Sequence, residues 1–267
     1  TVHCAALIVV PDSVSSPYEY YQDNVSKSIE FFHLLHRLGY DRVVFSSSAA
    51  LYDVVPGFMV TEEAPLNANS PYSRTKLMME MVLRDYCAAY GMKGIALRYF
   101  NPIGADPKMR SGIHVQHPTH VVGKLVDTAQ GRQAEFQITG THYPTRDGTG
   151  IRDYIHVWDL AQAHVNAVTD FDKVFERAGE LPVDYLVINL GTGRGVTVRE
   201  LVTAFEKVYG QTINKKETGP RPGDVAGSYT NADKAYRLLH WKAQLSIEDG
   251  IADALRWGKL RENILKY

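Results

Sequence analysis

The stretch SPYSRTK (residues 70–76) decides how this chain is read. Ser70 suits an N-cap and Pro71 the first helical position, and the apolar pattern runs on to Tyr90 before Gly91 closes it, which predicts a helix over 71–90. Tyr72 and Lys76 then stand four residues apart on one helical face. Upstream, RVVFSSS (residues 42–48) reads as a strand ending at Ser48, and downstream GIALRYFNP (residues 94–102) contains another. Strand, helix and strand make a βαβ unit of a parallel sheet, which brings Ser48, Tyr72 and Lys76 to the carboxyl ends of the strands, where such sheets hold ligands.

That spacing has a chemical use. A tyrosine of pKa about 10 works as a base near pH 7 only if its phenolate is stabilised by about 4 kcal/mol. An ammonium about 6 Å away, at an effective dielectric of about 20, supplies on the order of 2.8 kcal/mol. Lys76 alone falls short, and the positive ring of an oxidised nicotinamide would complete the shift. Ser48 would hydrogen-bond the reacting oxygen and help move the proton. Tyr-x-x-x-Lys by itself is common on amphipathic helices; the flanking strands give it weight here.

The 267 residues, 45% hydrophobic, suffice for one sizeable core or a core plus a smaller lobe. A net charge of -1, with both signs interspersed, argues against nucleic acid or an anionic membrane as partner. There is no apolar run of about 18 residues and no signal-peptide pattern, so a cytoplasmic protein is expected. Cys4 and Cys87 each sit in apolar surroundings and are expected to be buried, reduced thiols. His114, His117 and His120 cluster without accompanying carboxylate or cysteine spacing, so no metal site is expected.

Alternating β and α elements predict an α/β fold with a doubly wound parallel sheet of Rossmann type. A strand over Thr1–Leu7 should be followed by a loop; then Ser16, Pro17 and Glu19 suggest a capping box opening a helix that Gly39 stops after Leu38. Further on, a helix is expected over 118–130, strands over 135–140, 151–157, 185–190 and near 213–218, and helices over 197–209, 232–239 and 247–263. The GTGRG run at 191–195 looks like a phosphate loop, but it lies far downstream of the Tyr72 helix and lacks an acidic ribose partner. It reads as a strand-to-helix turn before a helix capped by Thr197 and Glu200.

Taken in order, VHCAA (2–6), SPYEYYQDNV (16–25), FSSSAALY (45–52), SPYSRTK (70–76), LRYFNPIGA (97–105), DGTGIRDYIHVWDLAQAH (147–164), INLGTGRG (188–195) and RPGDVAGSY (221–229) resemble the extended short-chain dehydrogenase/reductases, and among them the UDP-glucose 4-epimerases. The resemblance implies NAD as cofactor and UDP-glucose and UDP-galactose as substrates, interconverted through a 4-keto sugar. Tyr72, Lys76 and Ser48 would be catalytic; Ala5, Ala6, Asn24, Ser46, Tyr72, Lys76 and Tyr99 would bind the cofactor; Ser48, Asn101, Arg152, Arg221, Asp224 and Ser228 would bind the substrate. On this view 1–102 with 151–178 form the cofactor domain, and 103–150 with 179–267 the nucleotide-sugar lobe. The family's cofactor glycines lie upstream of VHCAA, so a first βαβαβ half of roughly 70 residues or more is expected to be absent from this chain. A homodimer through helices 17–38 and 71–90 is a further family expectation.

Departures from the family are also visible. Ile8 stands where a phosphate-binding Lys is frequent, Thr119 and His120 replace an Asn pair, Thr139 replaces an aromatic that stacks on uracil, and Tyr52-Asp53 replaces Tyr-Gly. Ser228, where a Tyr excludes bulky sugars, would admit N-acetyl sugars as well. A 4,6-dehydratase would carry an Asp-Glu pair where Ala49 and Ala50 stand, and a non-catalytic cofactor-binding relative would commonly lose the Tyr or the Lys. Arg152 could instead pair with its neighbour Asp153, Arg221 could be a solvated turn residue, and Asn101 could simply stop a strand.

Overall fold

The computed structural model describes residues 1–179, 183–220 and 224–266. The first half runs β1 (Val2–His3), α1 (Val10–Ser15), α2 (Pro17–Tyr21), a π-helical turn (Gln22–Ser26), α3 (Lys27–Arg37), β2 (Arg42–Ser46), a 3-10 turn (Ala49–Leu51), β3 (Met59–Val60), α4 (Pro71–Tyr90), β4 (Lys93–Tyr99) and β5 (Asn101–Ile103). The second half runs α5 (Val121–Ala129), β6 (Phe136–Thr139), β7 (Ile151–Arg152), β8 (Tyr154–His156), α6 (Val157–Thr169), α7 (Phe171–Ala178), β9 (Tyr185–Leu190), β10 (Val196–Thr197), α8 (Val198–Tyr209), β11 (Lys215–Thr218), β12 (Gly227–Thr230), α9 (Asp233–Leu239) and α10 (Ile247–Leu265).

β1, β2, β4 and β9 form the main sheet in that order, all parallel. Its inner strands are apolar on both faces because helices cover both, as a doubly wound sheet requires. Val43, Phe45 and Ala96 point to one side, where they meet Phe32 and Leu35 of α3 and Met79, Leu83 and Cys87 of α4. Val44, Ile95 and Leu97 point to the other, against Leu160 and Ala163 of α6, Val174 of α7 and Leu238 of α9. A second core is built by α5, α8, α10 and β6 around Leu125, Phe205, Ile251 and Phe136. Between the two cores lie the small sheet β10-β7-β12-β3 and the β5-β8 pair.

The α4 helix forms as its sequence dictates. Ser70 accepts from the Ser73 backbone, the Ser73 hydroxyl returns the favour to the Ser70 N–H, and Gly91 closes the helix at φ +66. Thr197 and Glu200 likewise make a reciprocal cap on α8.

Other expectations need correction. The first strand covers only Val2–His3, and the irregular segment after it gives way to a short helix, α1, from Val10. Ser16 precedes Pro17 but makes no side-chain cap. The expected helix to Leu38 widens into a π turn whose buried residue is Asn24; its amide clamps the backbone of Leu7 and reaches Thr75 on α4, bonds that a regular 3.6-residue pattern does not reveal. The α5 helix starts at Val121 rather than Pro118, because His120 takes the extended conformation of an N-cap. Residues 151–157 do not form one strand of the main sheet: β7 joins β10 and β12, and β8 joins β5. Cys87 is buried, and burial pushes its thiol up to about 12, but Cys4 is exposed.

His3, at the end of β1, is packed among Phe31, Phe32 and Phe45, with Nε2 bonded to the Ser28 hydroxyl at 2.9 Å. Burial, reinforced by the Lys76 charge, lowers its pKa to about 4. The unfolded chain therefore binds a proton in the range where the folded one does not, and stability is lost as pH falls from about 6.5 to about 4, by on the order of 3 kcal/mol. Urea unfolding across this range should show that loss, and His3→Gln should remove it.

Candidate active site

The carboxyl ends of β1, β2 and β4 carry the residues singled out above. β1 runs out into Cys4, Ala5 and Ala6, which are exposed or half-buried, and β2 ends at Ser46, with Ser47 and Ser48 following. Ser48 caps the 3-10 turn by accepting from the Ala50 N–H at 3.1 Å. Behind this rim stand the first two turns of α4, with Tyr72 and Lys76 both buried. Desolvation raises the Tyr72 pKa, and a hydrogen bond with Ser48 opposes the rise.

Lys76 donates to the Ser46 carbonyl at 2.8 Å and lies 5.0 Å from the centre of the Phe45 ring. Burial brings its pKa down to about 8. With the cation of Lys76 beside it, the Tyr72 hydroxyl is still held above its ordinary value by burial, in keeping with the expectation that the lysine alone falls short. An ammonium has three N–H donors, and among the described residues Lys76 uses one. Two remain for hydroxyl acceptors in the cleft, so the residues present fit the ribose of a nicotinamide nucleotide.

Ser46 is a local hub. Its hydroxyl lies 3.1 Å from Cys4 Sγ and 3.1 Å from Nε2 of His164, whose Nδ1 is 2.9 Å from the Leu160 carbonyl. Burial lifts the Tyr99 pKa, with a Ser46 hydrogen bond pulling against it. Asn24 has its amide committed to Leu7 and Thr75, so what it visibly does is hold the cleft's edge in place.

On the opposite side, Asn101 opens β5 after the main strand has ended, and its side chain makes no hydrogen bond among the described residues. Arg152 does not pair with Asp153. Its Nη1 donates to the Ile151 and Ala226 carbonyls at 2.7 and 2.8 Å and its Nη2 to Val225 at 3.0 Å, which among the described residues leaves Nε and one Nη2 hydrogen without a partner. That free edge is the fork that grips a phosphate with two bonds. Gly227 permits the brace: at φ +108, a Cβ there would lie 1.8 Å from Arg152 Nη1. Asp224 and Ser228 flank the same segment, both half-buried. Arg221 lies outside the described residues. Among the described residues there is no cluster of His, Cys, Asp or Glu able to hold a metal, and no helix is long and apolar enough to cross a membrane.

The GTGRG turn has an internal occupant. The buried Asp153 carboxylate accepts from Thr192 N–H at 2.8 Å, its hydroxyl at 2.7 Å and Gly193 N–H at 3.1 Å, and so takes the place that a phosphate takes in a nucleotide loop. Sequence reasoning placed the turn correctly but missed Asp153. The signal was available in an acid directly beside the braced Arg152, with a small-residue turn downstream to receive it.

A parallel sheet with a serine at one strand end, and a Tyr and Lys one turn apart on the next helix, defines a dehydrogenase-type site that works on a hydroxyl or carbonyl carbon. Residues 1–183 match the NAD dependent epimerase/dehydratase family, and the chain belongs to that family. It is 41% identical to a UDP-glucose 4-epimerase of Bacillus subtilis (strain 168), over 96% of this chain and 74% of that protein. It is 40% identical to UDP-glucose 4-epimerase 2 of Arabidopsis thaliana, over 96% of this chain and 72% of that one. Among solved structures, the UDP-glucose-4-epimerase of Stenotrophomonas maltophila, crystallised with NAD and formylated UDP-arabinopyranose, superposes with a TM-score of 0.91 at 36% identity, covering 98% of this chain and 76% of that one. The Bifidobacterium longum UDP-glucose 4-epimerase in complex with NAD+ and UDP gives 0.88 at 36% identity, covering 100% and 77%.

Gly191 tests the reading of its turn. A Cβ there would sit 2.5 Å from Asp153 Oδ2 and 2.6 Å from Thr230 Cγ2. Gly191→Ala should therefore lower the unfolding free energy by about 1–3 kcal/mol in urea titrations, as overpacking does.

Proposed function

We propose that this chain catalyses the NAD-dependent interconversion of UDP-glucose and UDP-galactose, placing it in galactose metabolism. The observation that carries the reading is the meeting of Ser48, Tyr72 and Lys76 at one end of the sheet, opposite the free fork of Arg152, in a chain 41% identical to a UDP-glucose 4-epimerase. NAD, when bound, would supply reversible hydride acceptance for the sugar C4. Tyr72 takes the proton of the 4-hydroxyl, Ser48 holds the reacting oxygen, and Lys76 turns its two spare donors to the ribose and favours the phenolate. Ala5, Ala6, Asn24, Ser46 and Tyr99 line or support the cofactor's place.

Arg152, with Arg221, holds the diphosphate, Asp224 takes the nucleoside ribose hydroxyls, and Asn101 offers its free amide to the same ligand. A grip on the nucleotide rather than on the sugar leaves the 4-keto sugar free to turn over. Ser228 leaves room for N-acetyl sugars as well. Residues 1–102 with 151–178 serve the cofactor, and 103–150 with 179–267 the nucleotide sugar.

The protein acts in the cytoplasm as a homodimer through α2, α3 and α4. Support for the dimer comes from apolar side chains left in water on these helices, namely Tyr18, Leu34, Met78, Met81 and Tyr90. Leu34→Glu with Met81→Glu should turn a dimer into a monomer in sedimentation velocity; a parent that sediments as a monomer at micromolar concentration removes this part of the proposal.

The catalytic reading is tested by Tyr72→Phe. Turnover of UDP-galactose, followed by a coupled assay, should fall by about a hundred-fold or more, while calorimetric binding of UDP-galactose changes little. Equal turnover in the two proteins would take the role away from Tyr72.

A further inference from the structure

We propose that the buried Glu80–Arg98 ion pair acts as a jig that sets Ser48 against Tyr72, making Glu80, Arg98, Ser47 and Tyr52 positioning residues of the reaction; this rests on the epimerase reading given above. The argument begins with the short turn that carries Ser48. Ser48 is its N-cap and Tyr52 its C-cap, the latter donating its backbone N–H to the Ala49 carbonyl. A single 3-10 turn has little rigidity of its own, so what fixes Ser48 must lie at its two ends.

Both ends reach the same ion pair. On one side the Ser47 hydroxyl donates to Glu80 Oε1. On the other, Arg98 Nη1 donates to the Tyr52 hydroxyl at 3.0 Å, with the guanidinium 5.0 Å from the centre of the Tyr52 ring. The pair itself is bidentate, Arg98 Nε to Glu80 Oε1 at 2.9 Å and Nη2 to Oε2 at 2.6 Å. The Tyr52 hydroxyl is then locked from beyond, since it donates to Asn189 Oδ1 at 2.7 Å. Ser47, Tyr52, Glu80 and Arg98 are all buried.

Glu80 lies on α4, one turn past Lys76 and two past Tyr72. The helix that brings Tyr72 thus also brings the carboxylate that holds the Ser48 turn, and the distance between the two hydroxyls is set through one rigid body. A buried ion pair is a poor device for stability alone, since apolar side chains of the same volume do as well. Fixing a reacting geometry, where a displacement of about 1 Å costs about a hundred-fold in rate, is a better account of it.

Removing Glu80 or Arg98 would strand a buried charge, so the test uses the two hydroxyls. Tyr52→Phe and Ser47→Ala each break one anchor and leave the ion pair intact. Each should lower kcat by about ten-fold with KM within about two-fold, and neither should lower it further once Ser48 is already alanine. Independently of turnover, the 13Cζ resonance of Tyr72 in tyrosine-labelled protein, assigned with Tyr72→Phe, should move in both variants in the direction it moves in Ser48→Ala. Unchanged kcat in both, an equal loss with and without Ser48, or an unmoved Tyr72 resonance overturns the jig. If the parent leaves UDP-galactose unconverted, the epimerase reading falls, and the Tyr72 resonance still decides the jig.

Discussion

The constraint on which the site depends is a pair of opposite charges sealed between the central strand and the Tyr72 helix. Arg98 enters β4 in a run of otherwise apolar residues, and Glu80 meets it from α4 with two hydrogen bonds. Neither could be there alone, because breaking such a pair costs about 3–5 kcal/mol. Once both are present, the rotation of α4 about its own axis is settled, since Glu80 must face the sheet. Lys76 and Tyr72, one and two turns earlier on that face, must then face the ends of the strands. The Ser70 and Ser73 cap and the left-handed Gly91 set where the helix starts and stops. The charge pair sets which way it looks.

A second carboxylate plays the corresponding part on the other wall of the cleft. Asp153 is buried, and desolvation raises its pKa while bonds from Thr192, Gly193 and Thr230 oppose the rise. Through it, the strand bearing Arg152 is tied to the turn after β9 and to β12, which carries Ser228. Arg152 braces Val225 and Ala226 from its own side. The two walls are joined by the Tyr52–Asn189–Thr230 chain of hydrogen bonds, at 2.7 and 3.2 Å. The cleft is therefore bounded by fixed polar groups on both sides.

Much of this was legible in the sequence because it rests on local chemistry. The α4 boundaries follow from Ser70, Pro71 and Gly91, and the α8 cap from Thr197 and Glu200, all within a few residues of the features they determine. The β-α alternation gave the parallel sheet, and a familiar order of short motifs gave the family. What escaped depends on residues far apart in the chain. Asn24 could be read as a ligand contact, but its commitment to Leu7 and Thr75 needs a π turn that periodicity does not show. The split of 151–157 into two strands in different sheets follows from Asp153 turning inward between them, and its partners are some forty residues later.

Lys76 shows why the last step from sequence to chemistry is the hardest. Its place on the helix was readable, but its charge state depends on what surrounds the ammonium. Burial favours the neutral form and brings its pKa to about 8, while the Ser46 carbonyl, the Phe45 ring and the Glu80 carboxylate favour the cation. Near neutral pH the cation persists, though with a narrow margin, so additional acceptors in the cleft strengthen it and additional positive charge weakens it. The same ammonium adds to the burial that depresses His3. The charge on Lys76 is therefore set by what the cleft holds, whereas burial alone keeps the neighbouring Tyr72 hydroxyl above its ordinary value.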